Sequence, residues 1–277
     1  MSGVSVLVLT YNEEKNIRAC LQSVAWSSDI HVVDSGSTDS TVVICREFTP
    51  HVQYHSFESF SAQYNWALDH VPFRHEWLLV VEADEVVPEE LRDEILRVLE
   101  LPPSDIAGYY VRWRILFLGR WIKHCTMYNS SWLLRLFRHR QVRYEDRPVN
   151  QHAVCRGRCG RLQHGLWHDN RNGPTRLLAK YNRYASWEAE ESLRLLRGEI
   201  VSEIRPRLLG NPSERRRWLK QVFMRLPLRP LLKFFYLYVL SRGFLDGMPG
   251  LLYCTLTAVQ EFFVGVKVGA RKRALPA

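Results

Sequence analysis

The sequence predicts an α/β protein in which helices flank a mostly parallel sheet, followed by a helical, membrane-associated extension. Apolar runs of strand length alternate with segments of helical periodicity through the first part of the chain, which is typical of a parallel sheet with crossover helices. Polar turns follow three of these runs, as in sheets that bind a ligand at the carboxyl ends of their strands. The last part of the chain instead interleaves aromatic and basic residues along apolar stretches.

The first strand and helix are predicted at the start of the chain. Residues 4–9 form a nearly unbroken apolar run, as expected for a strand that is covered on both faces. Apolar residues then recur at helical spacing from Ile17 to Val24. Asn12 is predicted to cap this helix and Glu13 to lie in its first turn, where the helix dipole favours negative charge.

The same alternation continues along the chain. Strands are predicted at about residues 30–33, 52–55 and 77–81. Helices are predicted from near Asp39 and over about residues 61–71. Right-handed crossovers through such helices make the strands parallel.

The second part of the sheet is predicted to be mixed. Pro88 is expected to be the first residue of a helix with one apolar face. Two further strands are predicted over residues 109–113 and 131–137, and a helix rich in Leu and Tyr over residues 174–197.

Polar turns follow three of the predicted strands. They read Thr10-Tyr11-Asn12-Glu13-Glu14, Asp34-Ser35-Gly36-Ser37-Thr38-Asp39 and Glu82-Ala83-Asp84-Glu85. Carboxylates one residue apart at such an edge suit a hard divalent cation that carries phosphates. The turns therefore predict a nucleotide diphosphate that is held through a metal ion.

Each turn is given a role in that site. Asp84 is predicted to be the main metal ligand. Glu82 is predicted to bind the ribose, or to take part in the metal site through a metal-bound water molecule. Asp34 is expected to accept hydrogen bonds from a base or ribose. The nucleoside would be lined by Thr10, Tyr11 and Glu13.

Charge is distributed unevenly along the chain. Residues 1–100 hold 6 Lys and Arg against 17 Asp and Glu, and residues 101–277 hold 32 against 12, so the net charges are −11 and +20. A basic second part indicates an anionic partner, which could be a membrane surface, a nucleic acid or an acidic substrate, or else a solvated basic face. No recognised nucleic-acid-binding module occurs, so no nucleic-acid partner is expected.

The start of the chain and its cysteines predict a cytoplasmic protein. Met1-Ser2-Gly3 leads straight into a core-like strand, without the basic segment and cleavage site of a secretory signal. The six cysteines are scattered, and their spacing does not demand disulfides.

One run of cysteines and histidines resembles a zinc site in its ligand types. Cys155, Cys159, His164 and His168 are spaced C-x3-C-x4-H-x3-H. The central gap is far shorter than in a zinc finger. Buried thiols beside a polar loop are therefore the favoured interpretation.

The last part of the chain, residues 215–277, has the composition of helices that lie in a membrane interface. Basic residues alternate with large apolar and aromatic ones, and a second apolar stretch runs over residues 251–268. Neither stretch is a clean span of about 20 apolar residues. The alternative is an ordinary helical subdomain that packs on the sheet.

Motifs across nearly the whole chain resemble family 2 glycosyltransferases of the GT-A fold. The first set is Thr10-Tyr11-Asn12-Glu13-Glu14, Val33-Asp34-Ser35-Gly36-Ser37-Thr38-Asp39, Gln63-Tyr64-Asn65 and Ala83-Asp84-Glu85. A second set resembles the bacterial branch that includes lipopolysaccharide-core β-glucosyltransferases. It comprises Leu118-Gly119-Arg120-Trp121, Arg135-Leu136-Phe137-Arg138, Val149-Asn150-Gln151-His152 and Gly243-Phe244-Leu245-Asp246-Gly247.

The resemblance implies a nucleotide-sugar donor, in particular a UDP-sugar, with Mg²⁺ or Mn²⁺ and inversion at the anomeric carbon. It also implies that the first and fourth strands lie side by side. The donor and metal residues carried over are Thr10, Tyr11, Asn12, Glu13, Asp34, Ser35, Gly36, Ser37, Gln63, Asn65, Glu82, Ala83 and Asp84.

The catalytic base is where this chain departs from the family. Related sequences often carry a glutamate where this chain has Gln151, and an amide cannot take a proton at neutral pH. The available bases in that segment are Glu145, Asp146 and His152. Asp146 is favoured. The alternative for Glu145 and Asp146 is ion pairing at the surface, and the alternative for His152 is a core histidine without a catalytic role.

These observations together predict an inverting glycosyltransferase that is peripheral on the cytoplasmic face of the inner membrane. Its acceptor is expected to be a lipid-linked or phosphorylated envelope glycan such as lipopolysaccharide core, at an anionic membrane surface. Transfer to a polyprenyl phosphate and a non-catalytic membrane adaptor are the alternatives, and the sugar and the oligomeric state stay open. Candidates for holding acceptor phosphates or the membrane surface are Arg114, Arg120, Lys123, Arg135 and Arg138.

Three regions are expected within this chain. Residues 1–100 would bind the nucleotide sugar, and residues 101–214 would form the acceptor and catalytic half of the same domain. Residues 215–277 would form the amphipathic, membrane-associated region.

Overall fold

A computed structural model describes most of the chain. It covers residues 3–126, 132–145, 153–197 and 228–273, with residues 218, 222 and 226 between the last two ranges. The chain forms two compact units, Met1–Gly173 and Pro174–Ala277. The predicted division at residues 100 and 214 stays a prediction.

The first unit begins with alternating strands and helices. They are β1 (Val4–Thr10), α1 (Ile17–Val24), β2 (Asp29–Asp34), α2 (Thr41–Phe48), β3 (Val52–Tyr54), α3 (Phe60–His70), β4 (Trp77–Glu82), β5 (Glu85–Val86) and α4 (Glu89–Glu100). The predicted alternation is confirmed, with boundaries that shift by a few residues.

Strands dominate the rest of this unit. They are β6 (Ile106–Phe117), β7 (Arg120–Trp121), β8 (Trp132–Arg138), β9 (Val142–Tyr144), β10 (Ala153–Cys155) and β11 (Arg158–Asp169), and a 3-10 turn lies at His139–Gln141. Both strands predicted in this region are present: β6 contains residues 109–113, and β8 contains residues 132–137 of the predicted 131–137, whose first residue lies outside the described ones.

Within the described residues, nine strands form one mixed sheet in the order β3-β2-β1-β4-β8-β6-β11-β5, with β7 paired to β6. Strands β1 to β4 are parallel, and β1 lies directly beside β4, as the resemblance implied. β8 is antiparallel to both β4 and β6, and β11 is parallel to β6. β6 and β11 therefore run in the same direction as β1 to β4, and the carboxyl ends of all these strands lie at one edge.

Two apolar cores cover the two faces of the sheet. Val6 and Val8 of β1 pack with α1, α2 and α4 on one face, whereas Leu7 packs with α3 on the other. The strand side chains alternate between these faces, so each strand is buried on both sides. This burial explains the unbroken apolar runs in the sequence.

Two helix starts differ from the predicted ones. Asn12 does not cap α1, because the helix begins at Ile17 and Asn12 adopts a φ of 53°, in the left-handed region. Pro88 precedes α4 instead of being its first residue, and its ψ of 160° is extended.

The described part of the second unit is helical. It contains α5 (Pro174–Leu196), a helix at Arg229–Phe235, a π-helical turn at Tyr236–Leu240, a 3-10 turn at Gly243–Asp246 and a C-terminal helix at Gly247–Arg273. Ala185 and Ala189 of α5 pack against Val264 of the C-terminal helix.

One helical segment of the described residues, Gly243–Lys272, is long and apolar enough to cross a membrane, with a mean hydropathy of 1.3 over its best window. Only 22% of that window is buried within the protein. The predicted C-terminal helical extension is confirmed, and this segment is its candidate membrane-associated part.

Candidate functional site

The three predicted turns meet at the carboxyl edge of the sheet. In the parallel pairing of β1 with β2, Thr10 lies opposite Asp34. In the pairing of β1 with β4, Leu9 lies opposite Glu82. The turns after β2, β1 and β4 are therefore neighbours at one level of the sheet.

The first and second turns are joined by hydrogen bonds. Asn12 accepts from the Thr38 N–H at 2.7 Å and donates its own N–H to the Ser37 hydroxyl at 2.7 Å. The Glu13 N–H donates to the Thr41 hydroxyl at 2.7 Å. Asn12 therefore holds two loops together, which explains its left-handed backbone.

Asp34 shapes the second turn. Its Oδ2 accepts the N–H groups of Gly36 at 2.9 Å and Ser37 at 2.8 Å. Gly36 has a φ of +92°, a backbone conformation that residues other than glycine rarely adopt. The role of Asp34 toward a base or ribose stays a prediction.

Gln63 supports the second turn from α3. Its side chain is 1% exposed and donates from Nε2 to the Ser35 hydroxyl at 2.9 Å and to the His55 carbonyl at 3.0 Å. The ring of His55 stacks on Trp66 with centroids 4.3 Å apart. Gln63 thus positions Ser35, and its predicted place in the donor site stays a prediction.

Asn65 and Tyr64 hold the end of β9. Asn65 donates from Nδ2 to the Tyr144 carbonyl and accepts the Tyr144 N–H, both at 2.9 Å. The rings of Tyr64 and Tyr144 stack with centroids 4.3 Å apart. These contacts fix the backbone immediately before the segment predicted to carry the base.

Most of that segment lies outside the described residues. Asp146, Gln151 and His152 are among the residues that are not described, and Glu145 is half-buried at the end of the described part. The identity of the base therefore stays a prediction.

Arg135 of β8 forms a buried ion-pair network with the turn after β4. Its Nη2 donates to Glu82 Oε1 at 2.8 Å and to Glu85 Oε1 at 2.7 Å. Burial raises the pKa of Glu85 to about 7, against the opposing charge of Arg135. Tyr64 donates to the same oxygen of Glu82 at 3.3 Å. Arg135 is therefore committed to this network, and its predicted contact with acceptor phosphates or a membrane is wrong.

Asp84 lies beside the end of β11. His168 Nε2 is 3.1 Å from Asp84 Oδ2, and Asn170 donates from Nδ2 to the same oxygen at 2.9 Å. The Asp169 N–H donates to the Asp84 carbonyl at 2.9 Å. This arrangement follows from the antiparallel pairing of β5 with β11, in which Glu85 lies opposite His168.

The loop after β11 also reaches the first turn. Asn172 donates from Nδ2 to Glu13 Oε2 at 2.8 Å, and Asn16 donates to the same oxygen. The Arg171 N–H donates to Asn16 Oδ1 at 2.8 Å. The loop thus connects the first and third turns, and it completes one rim of the site.

Asp84 and His168 fit a metal ion that shares its coordination with a nucleotide. A carboxylate is the ligand type that Mg²⁺ and Mn²⁺ prefer, and neutral imidazole is a common metal ligand. The described residues contain no group of three or more His, Cys, Asp or Glu side chains placed to hold a metal ion. Phosphate oxygens and water would therefore supply the other ligands. A metal role for Glu82 stays a prediction, because Arg135 holds its Oε1.

The zinc alternative has no support in this part of the chain. His164 Nδ1 lies 2.8 Å from Glu94 Oε2, whereas His168 contacts Asp84. Burial and a hydrogen bond with Cys159 raise the pKa of Cys155 to about 12, which disfavours a thiolate ligand. The four residues therefore do not act as one site.

A sequence profile places the chain among known proteins. The family described as Glycosyl transferase family 2 matches residues 5–161. The chain belongs to this family. The predicted family and the GT-A fold class are thereby confirmed, and the chain is a glycosyltransferase.

Relatives of this family 2 glycosyltransferase include proteins of similar length. It is 25% identical over 273 residues to the lipopolysaccharide core biosynthesis glycosyltransferase LpsC of Rhizobium meliloti (strain 1021), covering 94% of this chain and 92% of LpsC. It is 24% identical over 212 residues to an uncharacterized glycosyltransferase of Rickettsia bellii (strain RML369-C), covering 73% and 71%. Among solved structures, S. aureus TarS 1-349 in complex with UDP-GlcNAc matches with a TM-score of 0.45 and 16% identity, over 94% of this chain and 91% of TarS 1-349.

Three residues of this site were not assigned to it from the sequence. His168 was considered only for zinc, Arg135 for acceptor phosphates or the membrane surface, and Asn170 not at all. Arg135 comes from β8, His168 from the end of β11 and Asn170 from the residue after it, and only the strand order brings them to β4. Arg135 lies within a predicted strand, whereas no strand was predicted over β11, so no local pattern placed His168 or Asn170 at this edge.

Proposed function

We propose that this glycosyltransferase moves a sugar from a UDP-sugar to a membrane-linked envelope glycan such as lipopolysaccharide core, with inversion at the anomeric carbon. The observation that carries the proposal is the meeting of the turns after β1, β2 and β4 at one edge, where Asp84 lies 3.1 Å from His168. The likeness to LpsC over nearly the whole chain supports the acceptor class.

The donor would lie across the three turns. Asp84 and His168 would hold Mg²⁺ or Mn²⁺, and when bound this ion neutralises charge on the departing diphosphate. Thr10 and Asp34 lie opposite each other at the ends of β1 and β2, and Glu13 follows β1 by three residues. We propose that all three contact the nucleoside. The Glu82 carboxylate, fixed by Arg135, would face the ribose.

The acceptor would approach from the side of β9. An inverting transfer is a single displacement, in which one group removes the acceptor hydroxyl proton. We assign that role to Asp146, which follows Tyr144 by two residues. Asn65 and Tyr64 anchor Tyr144 and would thereby position the base.

The second unit would attach the enzyme to the cytoplasmic face of the inner membrane. Large apolar residues are exposed along its helices, among them Leu231, Leu240 and Met248 at about two-thirds exposure each (64%, 64% and 65%). Basic residues of the same region would gain from anionic lipid.

The donor proposal is tested with Asp84→Asn in the full chain. UDP binding is measured by calorimetry with Mn²⁺ and with chelator, and transfer is measured with a panel of UDP-sugars. We expect the variant to lose Mn²⁺-dependent UDP binding and at least about 10²-fold of its transfer rate. Asp93→Asn is the matched control, because Asp93 is an exposed carboxylate on α4. Equal UDP binding and transfer in wild type and Asp84→Asn would remove the metal from the mechanism.

The acceptor class is tested with the same assay. Transfer is compared between detergent-solubilised lipopolysaccharide core and polyprenyl phosphate. We expect transfer to the core glycan, and transfer to polyprenyl phosphate alone would reassign the acceptor.

A further inference from the structure

Arginines and tryptophans form a group on one face of the sheet, which we name the cation–aromatic face. It consists of Arg112, Arg114, Trp121, Trp132, Arg161 and Trp167. The guanidinium carbon of Arg114 lies 5.3 Å from the ring centroids of both Trp121 and Trp167. These two rings meet edge to face, with centroids 5.4 Å apart. Arg112 and Arg161 lie over the ring of Trp132 at 4.6 Å and 5.0 Å.

The arginines of this face have aromatic partners and no acidic ones. Among the residues that the structure describes, Arg112, Arg114 and Arg161 form no ion pair, whereas Arg158 on the same sheet pairs with Asp105. A guanidinium that rests on a ring keeps its donors available for an anion. Because these three arginines pair with no carboxylate among the described residues, their charge favours an anionic ligand.

Strand register places the cation–aromatic face beside the candidate active site. Arg114 pairs with Trp167, and the next pair is Ile115 with His168, the residue that contacts Asp84. Successive side chains of a strand point to opposite faces of the sheet. Trp167 therefore directly precedes the proposed metal ligand His168, and Trp167 and Arg114 lie on the opposite face of the sheet from it.

That other face is the one that carries α3. Tyr110 of β6 packs in the core that contains α3, and Arg112 and Arg114 follow it in steps of two residues. Tyr64 of α3 contacts Glu82 on this side. β9, which leads to the proposed base, also packs on α3. The face thus adjoins the side from which we propose that the acceptor approaches.

We propose that the cation–aromatic face binds a phosphorylated saccharide, so that it is the acceptor subsite of the transferase. The inference rests on the proposed function and adds the acceptor's chemistry and contacts to it. The rings of Trp121 and Trp167 offer apolar surface to a sugar, as aromatic residues do in ligand sites. Arg114 between them offers paired N–H donors that match a phosphate.

The test measures binding without any donor. Tryptophan fluorescence of the full chain in detergent is titrated with trehalose 6-phosphate, with trehalose and with inorganic phosphate. We expect trehalose 6-phosphate to bind more tightly than either part alone. Arg114→Gln should weaken that binding by about 10-fold or more, the scale of a lost charge-assisted hydrogen bond. Arg112→Gln, at an exposed position, should weaken it less and guards against a folding defect in the first variant.

Arg158→Gln is the matched control, because it removes an arginine from the start of β11 and should bind as wild type does. Equal binding by wild type and Arg114→Gln, or equal binding of trehalose and trehalose 6-phosphate, would overturn the inference. So would an Arg114→Gln protein that keeps trehalose 6-phosphate binding but no longer floats with phosphatidylglycerol vesicles, since the face would then contact lipid.

The donor site is tested separately. Asp84→Asn should lose UDP binding and keep trehalose 6-phosphate binding. If Asp84→Asn binds UDP as wild type does, the result counts against the proposed function. If Arg114→Gln binds trehalose 6-phosphate as wild type does, the result counts against this inference alone.

Discussion

The guanidinium of Arg135 donates to the carboxylate of Glu82 over 2.8 Å, and this ion pair fixes the residue at which β4 ends. The same nitrogen donates to Glu85, so one arginine holds both acidic residues that flank the Ala83-Asp84 pair. Arg135 is 5% exposed and Glu85 is fully buried. The acidic turn is therefore positioned by a buried charge on a neighbouring strand.

Removing Arg135 should destabilise the fold. Arg135→Met leaves Glu85 buried without its cation, and breaking a buried pair in this way costs about 3–5 kcal/mol. Urea unfolding followed by tryptophan fluorescence measures the loss. Arg158→Gln, which removes an exposed arginine, should leave the midpoint near that of wild type. An Arg135→Met midpoint equal to that of wild type would show that the network contributes no net stability.

Asn65 should act as a positioning residue for the base. Asn65→Leu removes two hydrogen bonds to the Tyr144 backbone, so the following segment loses its anchor. We expect kcat to fall by about 10-fold while the KM for the UDP-sugar stays close to wild type, because the donor turns are not touched. Gln22→Leu, at an exposed amide on α1, is the control. A change confined to the donor KM would place Asn65 in donor binding instead.

The strands and turns of the donor half were predictable because their signals are local. A strand that is buried on both faces has an unbroken apolar run as its sequence, and a few consecutive polar residues mark the turn that ends it. Asn12 was assigned correctly to the first turn but wrongly to a helix cap. Its side chain bonds to Thr38, and no local pattern encodes a contact with a turn 26 residues further on.

The rest of the site depends on strand order, which the local sequence does not contain. Arg135 stands in the pattern Arg-Leu-Phe-Arg and looks like an exposed basic residue of an amphipathic strand. The pairing of β8 with β4 turns it inward toward Glu82. His168 likewise reaches Asp84 only because β11 pairs with the two-residue strand β5.

Glu94 should make the stability depend on acid pH. Burial alone would raise the pKa of this carboxyl, but hydrogen bonds from the Gln163 and His164 N–H groups and from the His164 ring lower it. Because the folded pKa lies below the ordinary value of 4.5, the stabilisation is present above that value and is lost as pH falls through the folded pKa.

Thermal midpoints measured from about pH 7 to about pH 3 test this dependence. Glu94→Gln should be less stable than wild type at neutral pH, and the difference should shrink toward the acid end. Glu90→Gln, at an exposed position of the same helix, is the control. A difference that is constant over the whole range would assign the effect of Glu94 to packing and not to its charge.

The exposed apolar residues of the second unit should attach the enzyme to membranes. The double variant Leu231→Glu, Leu240→Glu places two charges on surface that is already exposed, so folding should be preserved while interface binding weakens. Flotation with anionic and neutral liposomes is the measurement. Leu101→Glu is the matched control, because Leu101 is 91% exposed in the first unit. If the wild-type protein binds neither anionic nor neutral liposomes, the second unit is better interpreted as a helical subdomain that does not contact a membrane.

The catalytic base is tested by two substitutions in the segment after β9. Asp146→Asn should lose about 10²-fold or more of the transfer rate while donor binding changes little, because loss of a base acts on the chemical step and spares the diphosphate contacts. Gln151→Glu restores the carboxylate that related sequences often carry. This substitution should leave the transfer rate unchanged or lower it if Asp146 is the catalytic base. It should raise the rate if the family's base belongs at position 151 and this chain has lost it.

The pattern of the two variants separates the candidates. Loss in Asp146→Asn with a silent Gln151→Glu supports Asp146, whereas a gain in Gln151→Glu assigns the role to the family's glutamate position. If Asp146→Asn is fully active and Gln151→Glu changes nothing, the proposed base is wrong and His152→Ala is the next measurement. A histidine base would also make the rate fall as pH drops through about 6.5, the ordinary imidazole pKa, whereas a carboxylate base would keep its rate to lower pH.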